Sequence, residues 1–204
     1  MTNKTHWETV YSTKATDSVS WFQPHAILSM QLIHRTGIGH DGAIIDVGGG
    51  ASTLVDDLVG AGFSNLTVLD MSSAALAVAK SRLGTNSDSI NWIEADITKV
   101  DLAKKNYDVW HDRAVFHFLT TKEDRQAYLD LVQQSVKSEG SVIIATFAED
   151  GPTQCSGLPV MRYSASALQN EFGSRFTLLH TQEELHSTPF NTTQKFIYCY
   201  FRLD

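Results

Sequence analysis

The sequence is poor in cysteine and proline, with two cysteines, Cys155 and Cys199, and four prolines among its 204 residues. The cysteines are far apart in sequence, which argues against a disulfide framework and against a CxxC metal site. No apolar run approaches the roughly 20 residues that a membrane-spanning helix needs. The polar N-terminus also lacks an apolar signal core. We therefore expect a cytoplasmic protein with no membrane segment.

Basic residues are also scarce, because 16 Lys and Arg face 23 Asp and Glu and leave a formal net charge of -7. Without clustered cations, broad binding of nucleic acid is not expected. The composition, 42% hydrophobic and 19% charged, is that of a globular chain able to bury a core without metals. The length predicts a single domain, 1–204, with an N-terminal cap over 1–40 and an α/β core over 41–204.

Apolar runs and helical patterns alternate from residue 43 onward. Strands are predicted at 43–47, 66–69, 90–93, 107–110 and 141–147, with helices between them, which indicates a parallel sheet covered on both faces. One of these helices is capped by Thr121 or Thr120 and is expected to end at Gly140. Within the cap, only 24–33 has a helical pattern, and the rest is expected to be irregular.

The C-terminal part of the sequence follows another pattern. Leu168 and Phe172 lie on one face of a further helix, which Ser164 can cap. Two strands, 176–181 and 195–202, then follow, joined by a polar loop that leaves no room for a crossover helix. These two strands are therefore predicted to be antiparallel.

A glycine-rich turn follows the first strand, in the stretch Ile44-Ile45-Asp46-Val47-Gly48-Gly49-Gly50-Ala51-Ser52. Glycines are needed where the backbone turns with positive φ or lies against a ligand. Such a loop at the carboxyl end of a strand is where open α/β sheets bind nucleotides. Asp70 ends the next strand, 20 residues after Gly50, where an acid can accept hydrogen bonds from ribose hydroxyls. Dinucleotide enzymes and methyltransferases share this arrangement.

Three features favour a methyltransferase over a dinucleotide enzyme. Thr53 occupies the sixth position of the glycine motif, where dinucleotide enzymes have Gly or Ala. Asp46 precedes the glycines, and its charge suits the cationic methionine end of S-adenosylmethionine but not a pyrophosphate. The antiparallel C-terminal strands are also not expected of a plain dinucleotide fold.

With these features the chain resembles the class I S-adenosylmethionine-dependent methyltransferase family over residues 41–204. The family's acidic-x-Gly-x-Gly-x-Gly stretch is matched here except that Ser52 replaces the last glycine. The resemblance implies a Rossmann-like, doubly wound, seven-stranded sheet, mostly parallel with an antiparallel last strand. It also implies S-adenosyl-L-methionine as the cofactor. The residues it would assign to the cofactor are Asp46, Gly48, Gly49, Gly50, Asp70, Met71, Asp96 and Ile97.

Three further segments, His6-Trp7-x-x-x-Tyr11, Val19-Ser20-Trp21-Phe22 and the stretch 150–160, are similar to a bacterial branch related to the citrate synthase lysine methyltransferase. Most members of this branch have no assigned acceptor. This closer resemblance makes a protein lysine one candidate acceptor.

The stretch Tyr107–Asp112 resembles the family's fourth strand, whose end faces the transferred methyl. Methyl transfer from a sulfonium is a direct displacement, in which positioning supplies much of the rate. A general base is needed only for a protonated acceptor. The catalytic candidates are therefore His111, Asp112 and Tyr11, while Arg113 could hold a carboxylate of the cofactor or of the acceptor. The alternatives are a packed histidine at 111 and a structural ion pair between Asp112 and Arg113.

Aromatic residues of the cap, Trp7, Tyr11, Trp21 and Phe22, are predicted to form a lid that excludes water, with Trp21 near the cationic sulfur. Alternatively, they fasten the N-terminus to the sheet. His117, between two phenylalanines, is expected in the core or in the lid.

The long stretch 149–163 is predicted to shape the acceptor site, with Arg162 and Tyr163 as candidates for binding an anion; a tight structural loop is the alternative. Cys155 within it is expected to be a small buried residue. Glu183, Glu184 and His186 are metal ligands by type, but without a second cluster a solvated loop is expected and no metal is predicted.

The sequence thus predicts a methyltransferase with an unidentified acceptor. A small molecule is favoured over a protein side chain because no insertion suited to protein docking is evident. The alternatives from other classes are a nucleotide-dependent oxidoreductase and a non-catalytic cofactor-binding module. The sequence makes no prediction of the oligomeric state.

Overall fold

The structure, a computed structural model, describes residues 3–204. The first two positions of the predicted cap therefore lie outside the described residues. The helices are α1 (Asn3–Thr13), α2 (Ile27–Arg35), α3 (Leu54–Gly60), α4 (Ser73–Leu83), α5 (Lys122–Ser135) and α6 (Ala165–Phe172). The strands are β1 (Ile44–Val47), β2 (Leu66–Asp70), β3 (Asn91–Glu94), β4 (Tyr107–Arg113), β5 (Val136–Phe147), β6 (Gln154–Cys155), β7 (Leu158–Pro159), β8 (Phe176–Ser187) and β9 (Thr193–Leu203).

The main sheet has seven strands in the order β3-β2-β1-β4-β5-β9-β8. Strands β1 to β5 pair in parallel, whereas β9 is antiparallel to both β5 and β8. The predicted fold is confirmed, including the last strand inserted antiparallel between its neighbours. Because the order reverses beside β1, the carboxyl ends of β1 and β4 border the crevice where open α/β sheets bind ligands.

Helices cover both faces of this sheet and create two cores. Ile44 belongs to one core and its neighbour Ile45 to the other, and both are almost fully buried. A central parallel strand is apolar on both faces, which is why β1 is a continuous apolar run. The predicted caps Thr121 and Ser164 are present, and Ser72 caps α4 in the same way, since each accepts a backbone N–H in the first turn of the following helix.

The structure corrects two predicted boundaries. Residues 3–13 were expected to be irregular but form helix α1. This helix has no clear apolar periodicity and is stabilised by contacts with distant parts of the chain. Helix α5 ends at Ser135 and β5 begins directly after it, so Gly140 lies inside a strand. A Cβ at Gly140 would lie 2.8 Å from the Lys137 carbonyl oxygen, and Glu139 has φ 61°. Gly140 therefore permits a tight bend near the start of β5.

Strands β8 and β9 are longer than predicted, because their pairing continues as far as Ser187 and Thr193. Glu183, Glu184 and His186 consequently lie in a strand and not in a solvated loop. The stretch 149–163 contains the small antiparallel hairpin of β6 and β7. Among residues 3–204, no helix is both long and apolar enough to cross a membrane.

Candidate active site

A cavity of about 360 Å³ lies at the carboxyl ends of β1, β2 and β4. Its volume falls within the range of ligand pockets. A second cavity, of about 50 Å³, lies beside the glycine loop. The residues Tyr11, Trp21, Gly48 and Arg113 border both cavities. We call the two the large cavity and the small cavity.

Each glycine of the loop has a separate reason for lacking a side chain. Gly48 turns with φ +69° and borders both cavities, and a Cβ there would collide with Val115. A Cβ on Gly49 would collide with Asp46, and one on Gly50 would lie 2.5 Å from the Asp70 carboxylate. Gly48 and Gly49 thus present main chain to the cavities. Gly50 makes room for Asp70 and lines neither cavity, so its role as a direct cofactor contact stays a prediction.

Asp70 ends β2 and lines the large cavity together with Met71. Its side chain is almost buried, and Oδ1 accepts a 2.8 Å hydrogen bond from the Ser72 N–H. Burial raises the pKa of Asp70 to about 7, with a further increase from the charge of Asp46, although the Ser72 N–H opposes both effects. An ionised Asp70 fits the predicted acceptor of two ribose hydroxyls.

Asp96 and Ile97 line the same cavity beyond the end of β3. Asp96 Oδ1 accepts from the Thr98 backbone N–H and hydroxyl, and Oδ2 accepts from Lys99 Nζ at 2.8 Å. Burial favours the neutral acid, but the hydrogen bonds from Lys99 and Thr98 outweigh it and lower the pKa of Asp96. Both predicted adenine contacts therefore border the cavity, with the Asp96 carboxylate ionised.

Asp46 and His111 form a buried pair beside the small cavity. Their Oδ1 and Nδ1 atoms lie 2.7 Å apart, and His111 Nε2 lies 2.8 Å from the Ser29 hydroxyl. Asp46 Oδ2 is buried and has no hydrogen-bond partner among the described residues. A buried carboxylate oxygen without a partner is costly, so the site suits a cation such as the methionine ammonium of S-adenosylmethionine.

This geometry corrects the catalytic prediction for His111. Both ring nitrogens are engaged, and its side chain is only 3% exposed. His111 borders the small cavity, and its Nδ1 holds the Asp46 carboxylate in place. These contacts agree with the alternative prediction, in which His111 is a packed, hydrogen-bonded histidine.

Asp112, which was also predicted to be catalytic, lines neither cavity. It is fully buried, and its carboxylate accepts the backbone N–H groups of Val115 and Phe116 and the hydroxyl of Tyr128 at 2.6 Å. Burial raises the pKa of Asp112 to about 6, although these donors oppose the shift. Asp112 therefore stabilises the turn that follows β4.

Arg113 points toward both cavities and is not paired with Asp112. Its guanidinium donates to the Tyr198 hydroxyl at 2.9 Å, to the Trp21 carbonyl at 3.2 Å and to Glu184 at 3.4 Å. The predicted ion pair with Asp112 is wrong, since the partner is Glu184 of β8. The sequence contains no signal for this pair, because only the pairing of β8 with β9 brings Glu184 to the site.

Aromatic residues of the cap cover the large cavity. Trp7 stacks on Tyr11 and meets Trp21 and Phe118 edge to face, with ring centroids 5.3–6.1 Å apart. The Tyr11 hydroxyl accepts a 3.3 Å hydrogen bond from the Trp21 indole, and burial strongly raises the pKa of Tyr11. Phe22 borders only the small cavity. Three of the four predicted lid residues therefore line the large cavity.

Several contacts hold helix α1 over the cavity, among them an ion pair between Lys4 and Glu94. The Glu8 carboxylate accepts from the backbone N–H groups of Ser73 and Ala74, at 2.7 and 3.2 Å, and so caps the start of α4. His6 Nε2 lies 3.1 Å from the Ser156 hydroxyl of the β6–β7 turn. The cap thus covers the cavity and is also fastened to the core. The two predictions for its aromatic residues, a lid and an attachment of the N-terminus, are compatible. Glu8 was not singled out by its sequence context.

The stretch 149–163 contributes Cys155, Leu158 and Pro159 to the large cavity. Burial raises the pKa of the Cys155 thiol to about 12, which is consistent with a small buried residue. Neither Arg162 nor Tyr163 lines the large cavity, so anion binding by these two residues stays a prediction. Arg162 donates to the Gly151 carbonyl, whereas Tyr163 packs in the core.

The other titratable residues considered in the sequence, His117, Glu183 and His186, make contacts within the protein. His117 is fully buried, accepts the Phe147 N–H, and has its pKa lowered to about 3 by burial, as expected of a core residue. Glu183 pairs with Lys195, and His186 Nε2 lies 2.8 Å from the Ser20 carbonyl oxygen. Within the described part of the chain, no cluster of three ligands suited to a metal ion is present.

Comparison with known proteins is consistent with this geometry. Residues 44–140 match a family model described as a methyltransferase domain. The nodulation protein S of Azorhizobium caulinodans is 30% identical over 122 residues, which cover 60% of this chain and 55% of that protein. The match thus spans about half the length of this curated relative.

Solved structures show the same fold at low sequence identity. A S-adenosylmethionine-dependent methyltransferase from Anabaena variabilis has a TM-score of 0.76 at 13% identity, covering 100% of this chain and 96% of its own. The 1,6-didemethyltoxoflavin-N1-methyltransferase of Burkholderia thailandensis, bound to 1,6-didemethyltoxoflavin and S-adenosylhomocysteine, has a TM-score of 0.68 at 16% identity, covering 95% and 80%. Residues 44–140 thus match a methyltransferase domain, and the fold of the described chain is that of the class I S-adenosylmethionine-dependent methyltransferases.

Proposed function

We propose that this protein transfers a methyl group from S-adenosyl-L-methionine to a small molecule held in the large cavity. The observation that carries this proposal is the covered cavity itself. It lies between the carboxyl ends of the strands and the aromatic residues of α1 and of the segment that follows it. A cover of this kind suits an acceptor that is enclosed together with the cofactor.

The residues present fit the cofactor. When bound, S-adenosylmethionine supplies an electrophilic methyl on a cationic sulfur. Asp70 would accept the ribose hydroxyls, Asp96 and Ile97 would meet the adenine, and the unpaired oxygen of Asp46 would face the methionine ammonium. Gly48 presents bare main chain between these two ends.

The chain's own residues would contribute orientation and the exclusion of water. Trp7, Tyr11 and Trp21 would shield the reacting atoms, and Arg113 borders the junction of the two cavities. Among the related structures, the Burkholderia thailandensis enzyme has 1,6-didemethyltoxoflavin and S-adenosylhomocysteine bound, which supports a small-molecule acceptor for this chain.

Ligand binding separates this proposal from an oxidoreductase. Thermal-shift and calorimetric titrations would compare S-adenosylhomocysteine with NAD. We expect stabilisation by S-adenosylhomocysteine alone, because the buried carboxylate of Asp46 would repel a pyrophosphate. Stabilisation by NAD alone would refute the proposal, whereas cofactor binding with no turnover of any acceptor would indicate a binding module.

The class of acceptor is tested with tritiated S-adenosylmethionine and a cell lysate separated by size. We expect label in the low-molecular-mass fraction. Label confined to protein bands would instead support a protein lysine, as in the branch similar to the citrate synthase lysine methyltransferase, which stays a prediction.

A further inference from the structure

We infer that the acceptor is an uncharged, planar nitrogen heterocycle that carries a carbonyl oxygen. This inference rests on the proposed methyl transfer and deepens it. It comes from the part of the large cavity that is lined by the aromatic residues of the cap, by Phe118 and by Arg113, which we call the acceptor end.

Four rings border this end: Trp7, Tyr11, Trp21 and Phe118, called the aromatic wall below. Trp7 and Tyr11 are inclined by only 29°, whereas Trp21 and Phe118 stand at 82° and 80° to Trp7. The wall thus combines ring faces and ring edges, which are the two surfaces that a flat aromatic molecule packs against.

A polar donor is located beside this wall. Arg113 borders the large cavity, and three of its five N–H groups are used by Trp21, Glu184 and Tyr198 within the described residues. Two N–H groups remain for a ligand. A carbonyl oxygen at the rim of a planar ring would accept one of them while the ring packs on the wall.

The side chains of Cys155, Tyr11 and Arg113 at the acceptor end stay protonated at neutral pH. Burial raises the pKa of Cys155 to about 12 and that of Tyr11 further, and an arginine stays protonated. The carboxylates of Asp70 and Asp96 would hold the adenosine of the cofactor, and Asp124 accepts the Thr121 hydroxyl. These groups suit a nucleophile that already has a free lone pair.

A charged amine fits this end poorly. An alkylamine is protonated near pH 7, so it would enter as a second cation beside the sulfonium and Arg113, and it would need a base. A heterocyclic nitrogen needs neither. Its lone pair forms the N–C bond while the C–S bond breaks with its electron pair on sulfur. The positive charge passes from sulfur to the methylated ring, and no proton moves.

The first test measures binding to the preformed S-adenosylhomocysteine complex by calorimetry. The probes are nicotinamide, which has a pyridine ring and a carbonyl, and also pyridine and benzylamine. We expect nicotinamide to bind more tightly than pyridine, and benzylamine to bind most weakly. Equal or tighter binding of benzylamine, or no binding of either heterocycle, would overturn the inference. Failure of S-adenosylhomocysteine itself to bind would overturn the proposed function as well, so the two failures are distinguishable.

The second test uses variants of the wall. Trp7→Leu is expected to weaken nicotinamide binding by up to about tenfold, because an aromatic pair contributes about 0.5–1.5 kcal/mol. Trp7→Phe should restore most of it. Trp92→Phe is the matched control, since Trp92 packs on Lys80 outside the cavity. S-adenosylhomocysteine affinity should stay the same in Trp92→Phe, and in the two Trp7 variants it should change less than nicotinamide affinity does. Unchanged nicotinamide affinity in Trp7→Leu contradicts the inference.

The third test follows methyl transfer as release of S-adenosylhomocysteine at saturating S-adenosylmethionine. Nicotinamide and pyridine should react faster than phenol and benzylamine, with a rate that is flat between about pH 7 and 9 because no deprotonation is required. Faster turnover of phenol or benzylamine, or turnover of none of the four probes, would overturn the inferred class of acceptor.

Discussion

Asp70 couples cofactor binding to pH, and the variant Asp70→Asn tests this coupling. The carboxylate is almost buried at the end of β2, and its Oδ1 already accepts the Ser72 N–H. An asparagine keeps one oxygen for Ser72 but replaces the other by an NH₂ group. The variant would therefore lose one charged acceptor for a ribose hydroxyl.

The expected magnitude follows from this single hydrogen bond. A hydrogen bond to a charged group contributes about 1.5–3 kcal/mol, which corresponds to about a ten- to hundredfold increase in the Kd of S-adenosylhomocysteine. In the free enzyme, the same carboxylate should make the free energy of unfolding depend on pH. Because burial raises the pKa of Asp70 from 3.8 to about 7, the folded state keeps its proton longer than the unfolded state. The free energy of unfolding should therefore fall as pH rises from 3.8 to about 7 and then level off.

Calorimetry and urea unfolding at several pH values would measure both effects. For the natural sequence, affinity for S-adenosylhomocysteine should rise with pH up to about 7, as Asp70 ionises, and Asp70→Asn should remove this dependence. Asp88→Asn, at an exposed position, is the control for the loss of one negative charge. If Asp70→Asn binds S-adenosylhomocysteine as tightly as the natural protein above pH 7, the assignment of Asp70 to the ribose is wrong.

Three further variants test other parts of the site. Glu8→Gln removes the charge that caps α4, so amide exchange in α1 should accelerate by a factor consistent with about 0.3–1 kcal/mol, with exposed Ser12→Ala as the unaffected control. Gly50→Ala places a Cβ 2.7 Å from that of Ala75, and urea unfolding should show a loss of about 1–3 kcal/mol; Gly60→Ala, with open space around it, should cost far less. Tyr128→Phe removes the donor to Asp112 and should destabilise by about 1–3 kcal/mol, yet keep kcat if Asp112 is structural.

Much of the fold is readable from local sequence because its signals are local. The apolar runs of β1 and β2, the glycines after β1 and the caps at Ser72, Thr121 and Ser164 each depend on neighbours within a few residues. Asp70 was predictable for the same reason, since the end of a strand is marked by the turn that follows it. The antiparallel pair β8 and β9 followed from a connection too short for a crossover helix.

Helix α1 was missed because its own periodicity does not indicate a helix. It is held by Glu8 on α4, by His6 on the β6–β7 turn and by Trp7 against Trp21 and Phe118. All of these contacts join residues that are distant in sequence, so no window around residues 3–13 contains the signal.

What the sequence by itself determined is the order of strands and helices, the glycine loop and the acids that follow the strand ends. What only the tertiary structure decided is which side chain turns toward the cavities. His111 and Asp112 are adjacent in β4, and the pleat directs them to opposite faces, so His111 meets Asp46 of the neighbouring strand while Asp112 enters the other layer. Arg113 of β4 likewise contacts Glu184 of β8 across three strand pairings. Such pairs form between chain segments far apart in sequence, and only the packed sheet brings them within hydrogen-bonding distance.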